Sequence, residues 1–307
     1  MIHYIIKKLL VFPVTLFFLM TLTFFLVRLT PGGPFDSERS LDPVVEEAMK
    51  EKYHLNAPLP QQYLHYLGNC LKLDLGPSFK HKATSVNEII AATFPNSMLL
   101  GSLSLLLALA IGMAAGIIAA SRHNTFIDYW AMTLSVLGLS LPAFVLAPLF
   151  QLFFAMKWSL LPVAGYNGLA SPAYLILPAL TLSLPFAARI ARLTRGGMLE
   201  VLNQDFIRTA KAKGLKERTM ICRHALKGGL MPVITFLGPA FAALMTGSLV
   251  IERVFKIPGL GQEFVEAALN RDYTLVSGTV LVYGSLLIIC NLISDLVCAW
   301  VDPRVRF

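Results

Sequence analysis

RTAKAKGLKERTMICRHALKGG, residues 208–229, is a basic stretch set between two of the most apolar segments of the chain, 173–193 and 230–251. The window 194–229 around it holds eight Lys and Arg against three acidic residues. The rest of the 307-residue chain avoids charge: 56% of residues are hydrophobic and 14% charged, and the mean hydropathy is +0.65. Soluble domains are about 45–50% apolar and about 25% charged, so this composition is that of a membrane protein. The basic stretch is then a loop between membrane crossings.

Working outward from that loop, apolar segments of about one helical span fall at 9–27, 97–120, 129–154, 173–193, 230–251 and 274–298. The first follows Lys7 and Lys8 as a signal peptide would, but it is as long as a span and has no small-residue cleavage site. The expected fold is therefore an all-α polytopic membrane protein with six transmembrane helices. Loop charge sets its orientation. Lys7 and Lys8, Arg122, the 194–229 loop, and Arg304 and Arg306 lie on one side. On the other, 30–96 has six basic against eight acidic residues, 155–172 has Lys157 alone, and 252–273 has three against four. The positive-inside rule places both termini in the cytoplasm. The net charge of +8 is thus topological, and no nucleic-acid partner is expected.

The expected divisions are a cytoplasmic stub and first helix (1–29), a small, mostly helical external segment (30–96), and a five-helix core (97–307). In the external segment, Asp42-Pro43 reads as a helix start and Ser85-Val86-Asn87-Glu88 as a capping box. Tyr63, Leu64, Leu67 and Leu71 recur between them at helical spacing. Of the four cysteines only Cys70 falls in an external loop, so no intramolecular disulfide is expected.

The chain has no GxxxxGK[ST] and no HExxH, and its six histidines lie outside the apolar spans. Ser140 therefore lacks an intramembrane base. Ionisable groups at mid-membrane, which an ion-coupled carrier needs, are nearly absent: Asp295 lies near the end of the sixth span, and Arg189 and Arg192 close the fourth. If the chain moves something across the membrane, the energy is expected to come from outside it.

Residues Asp205, Phe206, Ile207, Arg208, Thr209, Ala210, Lys211, Ala212, Lys213 and Gly214 read as one short helix. Asp205 caps it, Phe206, Ile207 and Ala210 make an apolar face, Lys211 and Lys213 suit its C-terminal dipole, and Gly214 ends it. So short a helix needs a partner surface. Spacing leaves two open, anionic lipid or a cytoplasmic protein.

The run 206–232, FIRTAKAKGLKERTMICRHALKGGLMP, resembles the cytoplasmic loop of binding-protein-dependent ABC importer permeases of the peptide and nickel branch. Thr209 to Leu215, Arg223 to Leu226, and Pro232 carry that branch's pattern, while Lys227 departs from the general superfamily pattern, which has proline there. Glu266-Ala267-Ala268 mimics the superfamily's EAA but lacks the following glycine. FFLVRLTPGGPF (24–35), LDLGPSFK (73–80), TGSLVIERVFKIPGLGQ (246–262), ALNRDYTLV (268–276) and the terminal DPRVRF are similar to the B-type permeases of oligopeptide importers.

The resemblance implies a type I importer permease in the bacterial inner membrane. Its partners would be a second homologous permease, two cytoplasmic ATPase subunits and a periplasmic peptide-binding protein. The chain itself would hold no cofactor, ATP being bound by the ATPases. Residues 205–214 would be the coupling helix, with Phe206, Ile207 and Ala210 in a cleft of one ATPase. Peptide is the implied cargo, with dipeptides, nickel or glutathione as alternatives within the branch. Ser135, Gly138, Ser140, Pro142, Thr246, Gly247 and Ser248 are small or polar positions inside the spans. They line a translocation pathway or pack helices, and spacing does not separate the two. Pro258, Gly259, Leu260 and Gly261 are expected to form a periplasmic turn.

Overall fold

The computed structural model describes residues 2–29, 47, 56–81, 84–246 and 249–301, with only the helical backbone for 2–9. Asp42-Pro43, Gly247, Ser248 and the terminal DPRVRF lie outside the described residues. Within them every regular element is a helix. We number these α1 (Ile2–Leu29), α2 (Leu59–Leu71), α3 (Val86–Ser121), α4 (Phe126–Ser140), α5 (Ala143–Lys157, π-helical from Gln151), α6 (Ala173–Leu202), α7 (Asp205–Ala212), α8 (Glu217–Gly229), α9 (Met231–Thr246), α10 (Leu249–Phe255), α11 (Leu260–Leu269) and α12 (Tyr273–Val301).

Helices α1, α3, α6 and α12 are long and apolar enough to cross a membrane unbroken. Two further crossings arise only if the bent pairs α4–α5 and α8–α9 each count as one. The third span, expected as a single run over 129–154, is broken at Leu141-Pro142 with a 101° bend. The cause is local: a proline disfavours helical geometry in the residue before it, and Leu141 is extended (φ −86°, ψ 116°). The second span starts earlier than expected, at Val86. There the predicted capping box forms: the Glu88 N–H donates to Ser85 Oγ (3.2 Å), and the Ser85 N–H donates to Glu88 Oε2 (3.0 Å).

Lipid tails provide no hydrophobic drive between helices, so close packing at small residues has to hold such a bundle together. The central contact is between α3 and α6. A Cβ on Gly112 would lie 2.6 Å from the Ala187 carbonyl oxygen, and one on Gly116 would lie 2.5 Å from both the Ala191 carbonyl oxygen and Thr194 Cβ. The two helices therefore run parallel, almost backbone to backbone. Gly238 on α9 meets the Cys290 carbonyl of α12 in the same way, and Ser294 Oγ donates across that contact to the Ile234 carbonyl (2.8 Å).

Helix α6 is the hub: 56% of its apolar window is buried, against 6% of that of α1. α1 lies at the edge, antiparallel to α12. Leu19 reaches Gly284 at one level, and the Arg28 guanidinium stands 5.9 Å from the Tyr273 ring at the end remote from the basic loop. Ile2 and Val301 are consequently at the same end of the bundle, the one that bears the basic loop. At the other end α2 leans on α1: Tyr63 and Thr21 share a 2.7 Å hydrogen bond, and Arg28 Nε donates to Gln62 Oε1 (3.1 Å).

Gly116→Val should strain the α3–α6 contact by about 1–3 kcal/mol, whereas Gly196→Ala, with nothing within 4 Å, should be neutral or stabilising. Thermal unfolding of the purified variants in detergent checks this: the first should lower the midpoint sharply and the second should not.

Candidate functional site

α6 has 30 residues, roughly 45 Å at 1.5 Å per residue, while the hydrocarbon core is about 30 Å thick. It is longer than one crossing needs and runs on to Leu202, so Arg195, read from the sequence as a loop residue, is helical. After a two-residue break the chain enters α7. Gln204, not Asp205, occupies the cap position, and Asp205 is the first helical residue. Asp205 still places a carboxylate in the first turn, where the helix dipole favours it.

The helix stops where the sequence indicated. Gly214 has φ +76°, its N–H donates to the Lys211 carbonyl (3.0 Å), and the Leu215 N–H donates to the Ala210 carbonyl (3.3 Å). This pair of bonds is a Schellman motif, which needs the left-handed conformation that glycine adopts without cost.

The apolar face of α7 is divided. Ile207 and Ala210, expected to face a partner, are buried in the chain's own core with Ala120 of α3, Met198 and Val201 of α6, and Met220 and Ala225 of α8. This seat supplies the tertiary contact that an eight-residue helix requires. Phe206 remains 47% exposed, and Arg208, Thr209, Lys211, Ala212 and Lys213 stand outward with it. A groove of about 710 Å³ runs beside Phe206, lined by Glu200, Gln204, His224 and Lys227 among others.

The residues considered for a pathway are dispersed. Ser135 is buried and donates to its own helix at the Ala131 carbonyl (2.8 Å). Gly138 faces α6 at ordinary distance, with a Cβ position 3.6 Å from Ala188 Cβ. Ser140 and Pro142 are exposed at the break, on either side of Leu141. Thr246 ends α9 and donates to the Ala242 carbonyl (3.0 Å).

At the end remote from the basic loop the expected turn 258–261 is shifted toward the N-terminus. Lys256, with φ +56°, and Ile257–Gly259 make the turn, while Leu260 and Gly261 already belong to α11. The organising group is one that the motif reading missed, the fully buried carboxylate of Glu252. It accepts from Ser97 Oγ (2.7 Å) and from the Gln262 N–H (3.1 Å), and Ser97 Oγ accepts in turn from the Leu260 N–H (2.9 Å). Gly259 has an ordinary φ of −105°. It is glycine because a Cβ would sit 2.3 Å from the Glu252 carboxylate. Buried Asp272 acts similarly at the start of α12. It accepts from the Leu275 N–H (3.2 Å), the Phe79 N–H (3.1 Å) and the Ser78 hydroxyl. An acidic residue within an apolar motif was the available sequence signal in both places.

Residues 112–307 match the family described as binding-protein-dependent transport system inner membrane component. The chain belongs to that family. The permease is 49% identical to the oligopeptide transport system permease protein OppB of Haemophilus influenzae and 48% identical to OppB of Escherichia coli K12, in both cases over the full length of both chains. It is also 44% identical to the dipeptide transport system permease protein DppB of Bacillus subtilis, over all of this chain and 98% of that one. Among solved structures, an inward-facing form of the MetNI methionine ABC transporter is similar to it in fold. The TM-score is 0.59 at 16% identity, over 70% of this chain and 96% of that one.

Removing Glu252 or crowding it should each destabilise this end of the permease by about 1–3 kcal/mol. In a cycle of Glu252→Ala, Gly259→Ala and the double variant, unfolding in detergent should show a double-variant loss smaller than the sum, because the new methyl enters the space left by the carboxylate. An additive loss would contradict that geometry.

Proposed function

We propose that this chain is the membrane-spanning subunit of an ATP-driven importer of oligopeptides, fed by a periplasmic binding protein and joined to cytoplasmic ATPase subunits through α7. The observation that carries the reading is the division of α7. Ile207 and Ala210 clamp the helix to the end of α6, and Phe206, Arg208, Lys211 and Lys213 face away from the chain. A helix that only bound lipid would have no need of such a seat, because its apolar face would lie in the bilayer. Here that face is largely occupied by the protein itself, and what remains is one aromatic ring among cations. This composition suits insertion into a protein cleft with a polar rim. The full-length identity with oligopeptide permeases supports the cargo.

In this reading the basic end is cytoplasmic, in keeping with its excess of Lys and Arg, and the bent pairs complete six crossings in the inner membrane. Glu252 and Asp272 then hold the periplasmic surface on which a binding protein lands. The exposed apolar surface of α4 and α5, including Leu134, Leu137, Phe144 and Leu149, is where a homologous second permease would pack. The broken span supports a pathway between the two, because irregular backbone at membrane depth is tolerated only against protein or water. Ser140 and Pro142 are the residues of this chain placed there. ATP hydrolysis would be the work of the partner subunits, since this chain carries no P-loop sequence.

Proteoliposomes containing the permease pair, the ATPases and the binding protein should import oligopeptide only with internal ATP. Phe206→Asp should lower that uptake by at least about tenfold without altering assembly of the permease pair. Uptake driven by a proton gradient in the absence of ATP, or normal uptake by the variant, would refute the reading.

A further inference from the structure

α7 is joined to the bundle at the end of α6, so a displacement of α7 enters the spans through α6. On one flank α6 is locked to α3 by the glycine contacts. On the other it lies against α4, the helix that leads to the 101° break. On that second flank the glycine, Gly138, is at ordinary packing distance, its nearest α6 atoms 3.6 Å and 3.8 Å from a Cβ position. These are ordinary van der Waals contacts, which carry no directional bond between the two helices.

One contact on this flank is directional. Arg195 of α6 donates through Nε to Asp128 Oδ1 (2.6 Å) and through Nη2 to Asp128 Oδ2 (2.7 Å). Asp128 is in the first turn of α4 and is 1% exposed. Its Oδ2 also accepts from the Asn124 N–H (3.0 Å), and Asn124 is in the left-handed region at φ +59°, which asparagine tolerates better than most residues. The carboxylate is therefore fixed from its own loop as well as from α6. With Asp128 buried and Arg195 half-buried, the pair is a poor source of net stability, because desolvation offsets attraction. A two-pronged pair does set distance and orientation together.

We propose that Arg195 and Asp128 form a strut, a pair of positioning residues that makes α4 follow α6 when an ATPase displaces α7, so that movement reaches the broken span. This rests on the reading of α7 as the ATPase-docking helix. Without the strut, α6 would still move with α7 and nucleotide hydrolysis would continue, but α4 would lag and the pathway would open incompletely. The signature is a fall in peptide imported per ATP hydrolysed, where a merely structural role would lower both together.

The test uses the complete complex in proteoliposomes, with uptake and ATP hydrolysis measured in the same vesicles. Asp128→Asn should lower peptide imported per ATP about tenfold, within the usual range of coupling energies, with hydrolysis near wild type. Asp128→Asn leaves Arg195 unpaired and can unfold the chain, so the double variant Asp128→Asn/Arg195→Gln, which buries no lone charge, is measured beside it and should show the same fall. A double variant with the wild-type ratio would overturn the strut, as would uptake and hydrolysis that fall in proportion. Wild-type complex that imports peptide without ATP would overturn the reading beneath it.

Discussion

The approach of α3 to α6 at Gly112 and Gly116 is the constraint on which the rest depends. In lipid, helices associate through the contacts they can make at short range, and here two missing side chains bring two backbones together. The contact fixes α6 as the hub and holds it parallel to α3. Because α6 is longer than the membrane is thick, fixing it also determines where its protruding end lies. Ala120, at the end of α3, and Met198 and Val201, near the end of α6, then form part of the floor on which Ile207 and Ala210 rest. The seat of α7 is thus a consequence of how two spans pack.

The two ends of the bundle are held by different physics. At the end remote from the basic loop, buried carboxylates at Glu252 and Asp272 gather backbone N–H groups and hydroxyls from other parts of the chain. Such networks specify one arrangement and are costly to break halfway. At the basic end, α7 is held by aliphatic contacts and a Schellman stop, which fix the helix to α6 but leave its outer face free. One end is thus cross-linked by polar networks, and the other holds α7 by one face only.

Much of this was legible in the sequence. Composition gave the membrane class, and the capping box at Ser85, the stop at Gly214 and the α2 periodicity gave local structure, because each depends on residues close in the chain. The break at Leu141 was not recovered, although Leu141-Pro142 was its signal. Pro178, Pro185 and Pro239 stand inside unbroken helices of the same protein, so a proline alone does not announce a break. The inward turn of Ile207 and Ala210 was equally hidden, since an apolar face does not state which neighbour covers it. Glu252 and the Arg195–Asp128 pair join residues far apart in sequence: an acidic residue in an apolar motif marks Glu252 without naming its partners, and no local pattern marks the pair.

The central claim, that α7 and the end of α6 move as one body, is tested most directly by spin-label distances in the assembled complex. Labels at Thr209 and Glu200, both exposed, report the seat, and a second pair from Thr209 to Asn96 at the outer end of α3 reports movement of the lever. On addition of ATP the first distance distribution should stay unchanged while the second shifts. A change in the first distribution of the same size as in the second would show that α7 swings on a hinge, and would contradict the account.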